Sequence, residues 1–228
     1  SFASYVTINA RCRESRRLVK ATQFRAKPAA PTTHVPSVST PRGALSVREA
    51  GDDIVVSSAG SDVTLSFSRR SGRLGLMQVE GATIIASERD GPQHSLWRAP
   101  TDNDEAGVTV GLPQWLSSVV KKFPNPLWSY AERWRYAGLD ALDTVVSTTA
   151  TTEGSTFVFT AVSQMRPAGR DTASTAPLAT ATTVYTVDGD GSVQVAVDID
   201  CRTVGVPTLA RVGLRMRLEP ELEELCFW

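Results

Sequence analysis

The chain has 228 residues and a mass of 24.5 kDa, which is enough for one large domain or two small ones. Hydrophobic residues make up 41% of it, so a proper core can form. The 24 basic and 24 acidic residues balance, which excludes an overall electrostatic attraction to nucleic acid or an anionic membrane. No apolar run approaches the roughly 20 residues that a membrane-spanning helix needs, so the composition predicts a soluble globular protein.

The first 43 residues differ in charge from the rest. They carry eight Lys or Arg and one Glu, a net charge of +7, so the remainder carries −7. They show no sustained periodicity, and residues 27–36 are rich in proline. We therefore predict a disordered basic and proline-rich leader or linker at 1–43 and a folded domain at 44–228. The leader resembles an organelle transit peptide in its Arg and Ser content, but a plain linker is the favoured interpretation.

The cysteines indicate the cellular compartment, and the chain ends indicate whether the domain is complete. Cys12, Cys201 and Cys226 are an odd set without CxxC spacing, which argues against a disulfide framework or a zinc site. A reducing compartment is therefore predicted, with the cytoplasm favoured and organelle targeting by the leader left open. Because the chain begins at Ser1 and stops at Trp228 directly after an apolar stretch, we expect a fragment.

Alternating apolar and polar residues predict strands in the first part of the domain. Val63, Leu65 and Phe67 alternate with hydroxyl side chains, so one face of this strand is apolar. Residues 70–77 continue as a turn and a second strand, and residues 54–56 could supply a preceding neighbour. This segment is therefore predicted to form a hairpin within an antiparallel sheet.

The middle of the chain, residues 91–138, has a different composition. It holds four of the five tryptophans and much of the proline, which indicates irregular structure with short helices. Apolar residues at helical spacing predict one helix over residues 115–123. Residues 128–138 predict a second helix that ends with Gly138 as its C-cap.

Strand patterns return after this middle part. Residues 157–161 place two phenylalanines and an alanine on one face, and residues 193–199 make four regular apolar steps after a turn at 188–191. Residues 210–218 predict a last strand in which four apolar residues oppose three arginines. Strands with one apolar face and no intervening βα repeats predict an all-β fold, an antiparallel sandwich of large curved sheets.

Few sequence patterns for catalysis are present. Only His34 and His94 could activate a nucleophile, and neither lies in a motif. GxSxG, HExxH, P-loop and strand-linked GxGxxG motifs are absent. Residues 188–191 superficially suggest a calcium loop, but Val193 stands where glycine is needed and Ile199 where a bidentate Glu is needed. A hairpin turn is therefore predicted there, and no metal site is predicted in the chain.

The stretch WRAPTDNDEAG is the most informative part of the sequence. Arg98, Asp102, Asn103 and Asp104 lie within seven residues, shortly before Gly107, and can lock a loop through side chain to backbone bonds and a bidentate Arg pair. The adjacent acidic side chains could instead bind a cation or sugar hydroxyls. A structural brace is favoured on general grounds, and the residues alone decide no further.

This stretch closely resembles the RAPxDND-x-G signature of the C-terminal, or small-chain, domain (domain 5) of glycoside hydrolase family 2 β-galactosidases. Residues 67–74 resemble the F-x-x-x-x-G-x-L hairpin of that domain, and residues 132–138 its W-x-x-A-G element. Residues 227–228 resemble the start of its F-W-x-G-x-G-P-x-E-x-Y motif. The likeness runs from about residue 45 to 228. It implies a truncated, galactose-mutarotase-like supersandwich, incomplete at the C-terminus and packed against a catalytic TIM barrel.

The resemblance also implies a function. Retaining glycosidases use two carboxyl groups about 5 Å apart, and family members carry both on the barrel, so no catalytic residue is expected in this chain. Arg98, Asp102, Asn103 and Asp104 would fix the base of a loop that starts at Gly107 and borders the substrate pocket. The expected role is that of a non-catalytic, carbohydrate-binding domain of an enzyme that hydrolyses terminal β-D-galactosides such as lactose.

Partners and cofactors follow from the same resemblance. The expected partners are a β-galactoside substrate and a TIM-barrel catalytic domain or companion large chain, in a homo-oligomer when complete, with no nucleic acid and no membrane. Full-length family members often use Mg and Na bound elsewhere, so no cofactor is expected in this segment. Two alternatives stay open, an independent carbohydrate-binding β-sandwich and a purely structural assembly module.

Overall fold

The structure is a computed structural model that describes residues 5–11, 18–25, 43–105, 113, 129–169, 176–201 and 208–220. Strands dominate these residues. They are β1 (Tyr5–Arg11), β2 (Leu18–Arg25), β3 (Leu45–Ala50), β4 (Asp53–Ser58), β5 (Val63–Ser68), β6 (Arg73–Val79), β7 (Ala82–Ile85), β8 (Gln93–Ser95), β9 (Leu142–Glu153), β10 (Thr156–Pro167), β11 (Ala179–Asp188), β12 (Val193–Asp200) and β13 (Gly213–Arg215). The two helices are α1 (Asp102–Glu105) and α2 (Tyr130–Ala137).

The first sheet is an antiparallel meander of β3, β4, β5, β6 and β7 in chain order. In β5, Val63, Leu65 and Phe67 are buried, as their alternation with hydroxyl residues predicts. The predicted turn and second strand are also confirmed, with β4 paired to β5. Gly72 has φ +67°, and a Cβ there would lie 2.6 Å from Val146 Cγ1 of β9. Only glycine therefore lets this turn approach the other sheet.

The second sheet has six strands in the order β2, β1, β12, β11, β10, β9. Neighbours are antiparallel except β1 and β12, which run parallel. The strands predicted over 157–161 and 193–199 and the turn at 188–191 are confirmed. No strand was predicted from the sequence in residues 1–43, whereas the structure has β1 and β2 there. The domain boundary near residue 43 stays a prediction.

The main hydrophobic core lies between the two sheets. Phe67 of the first sheet lies at its centre and contacts three aromatic rings of the second sheet. Its ring centroid is 5.6 Å from that of Phe157, 5.2 Å from Phe159 and 5.3 Å from Tyr185. These packed faces explain why the strands alternate, since each sheet buries one side. The predicted all-β, antiparallel sandwich is confirmed.

Helix α2 covers a second, smaller core at the other end of the same sheet face. Its buried Trp134 packs in this cluster with Met165 of β10. Ser129 begins the helix with a capping box to Glu132, and Gly138 ends it at φ 77°. The predicted helix and its C-cap are therefore confirmed. The helix predicted over residues 115–123 lies outside the described residues.

The last strand is shorter than its pattern predicts. Residues 210–218 predict a nine-residue strand, whereas β13 has three residues because its partner β8 has only three. Beyond that pairing, single backbone bonds run from Arg217 N to Asp90 O and from Glu219 N to Ile84 O. Val212, which the pattern placed on the apolar face, is 55% exposed. Alternation therefore predicted the structure of this segment only in part. A strand extends only as far as the partner strand with which its backbone pairs.

A polar row separates the two cores on the inner face of the second sheet. Ser163 of β10 and Thr183 of β11 are both buried there, between the first cluster and the second. His94 of β8 lies against them, with its Nε2 2.9 Å from Thr183 Oγ1. We call the row formed by His94, Ser163 and Thr183 the seam.

Protonation of His94 is expected to destabilise the fold. Burial, and secondarily the charge of Arg73, lowers the pKa of His94 to about 4 from an ordinary value of about 6.5. Between these values the unfolded chain binds a proton that the folded chain does not. Stability contributed by neutral His94 is therefore complete above about pH 6.5 and is lost as the pH falls to about 4.

The loss is expected to be on the order of 3 kcal/mol. Urea midpoints measured between pH 7 and pH 4 should fall for the unmodified chain and fall less steeply for a His94→Gln variant. Equal pH dependence in the two proteins would contradict this role for His94.

Candidate functional site

The centre of the site is a bidentate ion pair between Arg98 and Asp104. Arg98 Nη1 lies 2.5 Å from Asp104 Oδ2, and Arg98 Nη2 lies 2.9 Å from Oδ1. Thr101 donates to the same Oδ2 from its backbone N and from its Oγ1, each at 2.8 Å. Asp104 is only 8% exposed. Four hydrogen bonds thus close the chain between Arg98 and Asp104 into a fixed loop. We call Arg98, Thr101 and Asp104 the brace.

Arg98 also joins the brace to two other parts of the chain. Its Nε donates to Ala210 O at 3.0 Å. Its guanidinium carbon lies 5.4 Å from the centroid of the Trp134 ring, a cation–π contact. Trp134 in turn donates from Nε1 to Thr208 O at 2.8 Å and packs edge-on against Trp97. One guanidinium therefore connects the brace, helix α2 and the segment before β13.

Helix α1 is a single turn that contains Asp104 of the brace. Glu105 at its end pairs with Arg135 of α2, with Oε1 2.9 Å from Nη2. Both side chains are about half-exposed, so this ion pair contributes little to stability. Asp102 and Asn103 are exposed, and no side-chain hydrogen bond joins either to another residue in the described part of the chain. Of the carboxylates in α1, Asp104 is thus the one held in place.

The predicted site residues are therefore separated by the fold. Arg98 and Asp104 come together in the brace, while Asp102 and Asn103 lie at the surface of α1. Gly107 lies outside the described residues, together with the rest of 106–112. The bidentate pair and the bond from a side chain to a backbone N–H are the contacts that the spacing of the motif allows.

The brace perturbs the protonation of both its charged members. Hydrogen bonds from Arg98, and then from the backbone and side chain of Thr101, hold the pKa of Asp104 well below its usual range. The Asp104 carboxylate in turn raises the pKa of Arg98. A carboxyl group with so low a pKa holds no proton near neutral pH. Asp104 is therefore ionised there, with both of its oxygens engaged by Arg98 and Thr101.

Two kinds of feature are absent from the described ranges, a cluster of metal-ligating side chains and a membrane-spanning helix. No group of three or more His, Cys, Asp or Glu side chains there is arranged to hold a metal ion. Both carboxylate oxygens of Asp104 already accept hydrogen bonds from the brace. No helix in those ranges is both long enough and apolar enough to cross a bilayer.

Comparison with known proteins identifies the family. The family model of the β-galactosidase small chain matches residues 59–228, which is most of the chain. The chain belongs to the β-galactosidase small-chain family. The matched residues contain the whole brace, both helices and the strands β5 to β13. No curated protein matches the chain.

Sequence reasoning missed three contacts of the brace. Thr101 supplies two of the four bonds to Asp104, although its place in the motif gave no sign of it. The Ala210 carbonyl is 112 residues from Arg98 and carries no side-chain signal. Trp134 lies in the element that resembles W-x-x-A-G, which was the one available hint that α2 belongs to the site.

Proposed function

We propose that this chain is the non-catalytic C-terminal domain of a β-galactosidase that hydrolyses terminal β-D-galactosides such as lactose. Its membership of the small-chain family implies a larger companion part that carries catalysis. The proposal depends mainly on one observation, the full occupation of the Asp104 carboxylate by Arg98 and Thr101. The most buried acid of the motif is thereby committed to structure.

The bond-breaking groups are assigned to the companion part. Retaining hydrolysis requires an acid/base carboxyl group and a nucleophilic carboxylate about 5 Å apart across the glycosidic bond. Within α1, Asp104 lies in the brace and Glu105 pairs with Arg135. The arrangement of α1 therefore offers no such pair of free carboxyl groups. A TIM barrel in the companion part, as the resemblance implies, would supply them.

The brace would serve catalysis by fixing the start of a pocket loop. Helix α1 ends at Glu105, and the resemblance assigns the residues from Gly107 onward to a pocket loop. Because Arg98 connects the brace to α2 and to Ala210, the start of this loop is attached to the second, smaller core of the domain. A fixed base lets the tip of a loop close over bound sugar in a reproducible position. The brace residues are positioning residues in this scheme.

The wider biochemical setting is proposed on the same basis. The complete enzyme would bind a β-galactoside next to the loop at Gly107, form a homo-oligomer and work in the cytoplasm, without nucleic-acid or membrane partners. Mg and Na, which the resemblance assigns to the complete enzyme, would bind outside this segment. Asp102 and Asn103 are exposed at the base of the loop, where they remain accessible to substrate or to the companion part.

Substitution of Asp102 tests this role in the complete enzyme. Asp102→Ala is expected to raise KM or lower transglycosylation a few-fold, because the side chain is exposed beside the pocket loop and adds little to packing. Asp140→Ala, at an exposed carboxylate after α2, is the matched control and should change neither property. Steady-state kinetics and the melting temperature are measured for both. A lower melting temperature with unchanged kinetics for Asp102→Ala would contradict the pocket role.

A further inference from the structure

The seam borders a small polar pocket between the two cores. Besides His94, Ser163 and Thr183, its lining includes Ser71 from the β5–β6 turn and Thr144 from β9. The space available to the centre of a water-sized ligand is about 10 Å³, which is room for a ligand of one heavy atom. The lining is mainly polar, unlike that of an empty cavity in an apolar core.

The pocket contains an unpaired positive charge. Arg73 lines it, and burial lowers the pKa of this guanidinium. No carboxylate in the described part of the chain lies within ion-pair distance of Arg73. The nearby Glu88 carboxylate acts on Arg73 only through space and is itself paired with Arg70 at 2.6 Å. A half-buried cation without a direct partner is costly, and a bound counter-charge would offset that cost.

The pocket also contains hydrogen-bond donors. Ser71 Oγ is buried and has no partner of good hydrogen-bond geometry, although it lies close enough to the Glu88 carboxylate to lower the pKa of that group. Thr144 and Ser163, which each carry a hydroxyl group, line the same space. A hydroxyl group can donate to an anion as readily as to water, and an Arg guanidinium donates but cannot accept. The lining therefore combines one fixed positive charge with several donors around a one-atom space.

We propose that the seam pocket binds one monatomic anion of the size of chloride. Water would satisfy the hydroxyl groups but would leave the charge of Arg73 unbalanced. A polyatomic anion such as sulfate exceeds the space. The bound anion would connect the β5–β6 turn, β8 and the second sheet at the boundary of the two cores, and it would stabilise the folded chain by binding to it alone.

Thermal unfolding of the whole chain at pH 7 tests the proposal. Sodium chloride and sodium bromide should each raise the melting temperature relative to sodium gluconate at equal ionic strength, which controls for screening. The rise should saturate with concentration and reach about 2–4 °C. Sodium sulfate should produce no saturating rise. A response that is identical in all four salts, or that is absent, would overturn the proposal.

Variants and diffraction locate the anion. The bromide-dependent shift should disappear in Arg73→Gln and shrink in Ser163→Ala, but persist in Arg70→Gln, whose exposed guanidinium lies outside the pocket lining. Crystals grown in bromide should give an anomalous peak in the pocket. If the Arg73→Gln variant does not fold, the Ser163→Ala variant and the anomalous map test whether the anion binds in the pocket. A pocket that contains only water in bromide-grown crystals would refute anion binding.

Discussion

Replacement of Phe67 by alanine is expected to reduce the free energy of unfolding by about 3–5 kcal/mol. The Phe67 side chain is fully buried, and its ring contacts those of Phe157, Phe159 and Tyr185 across the sandwich. Alanine would remove the apolar surface of the ring and leave a cavity that the two sheets cannot close without moving. Tyr185 is fully buried too, so its ring would border that cavity.

Urea or guanidinium unfolding of the whole chain measures this effect. Val47→Ala is the matched control, because Val47 lies in the same sheet but is 37% exposed. It should change the free energy of unfolding by less than about 1 kcal/mol. If Phe67→Ala and Val47→Ala destabilised the chain equally, Phe67 would not be at the centre of the core.

Loss of the brace is expected to lower kcat/KM of the complete β-galactosidase by about 10- to 100-fold in an Asp104→Asn variant. Asparagine has nearly the same shape but carries no charge and offers one acceptor oxygen instead of two. The bidentate contact with Arg98 and one or more bonds from Thr101 would be lost. The base of the pocket loop would then move relative to the companion part, and substrate would be held less precisely.

Kinetics at several pH values distinguish positioning from direct catalysis. Asp104→Asn should raise KM more than it lowers kcat, and it should leave the pH profile unchanged because Asp104 transfers no proton. Glu105→Gln is the control, since it removes only the half-exposed ion pair with Arg135 and should change kcat/KM less than two- to three-fold. A shifted pH optimum in Asp104→Asn, or an equal effect of the two substitutions, would contradict a positioning role for the brace.

Local patterns predicted the elements whose partners are close in sequence or whose faces are strictly alternating. The hydroxyl and apolar alternation around Leu65 and the glycine at 138 each determine structure within a few residues, and both were predicted. The last strand was overpredicted, because the length of a ladder depends on a partner far away, β8, that the segment itself does not encode.

The site and the seam show the same limit of prediction from local sequence patterns. The pairing of Arg98 with Asp104 acts over six residues and follows from the motif. The contact of Arg98 with the Ala210 carbonyl, and that of His94 with Thr183 at a separation of 89 residues, depend on how the sheets stack. His94 had no motif around it, so only its burial in the folded chain shows that it belongs to a polar row.

Hydrolysis of a chromogenic β-galactoside by the purified chain tests most directly whether this domain is non-catalytic. The chain is assayed alone and after mixing with the separately expressed catalytic part of the enzyme. We predict no turnover above background for the chain alone, and turnover only when the catalytic part is present. Sustained, galactoside-specific turnover by the chain alone would contradict the assignment of the catalytic carboxyl groups to the companion part.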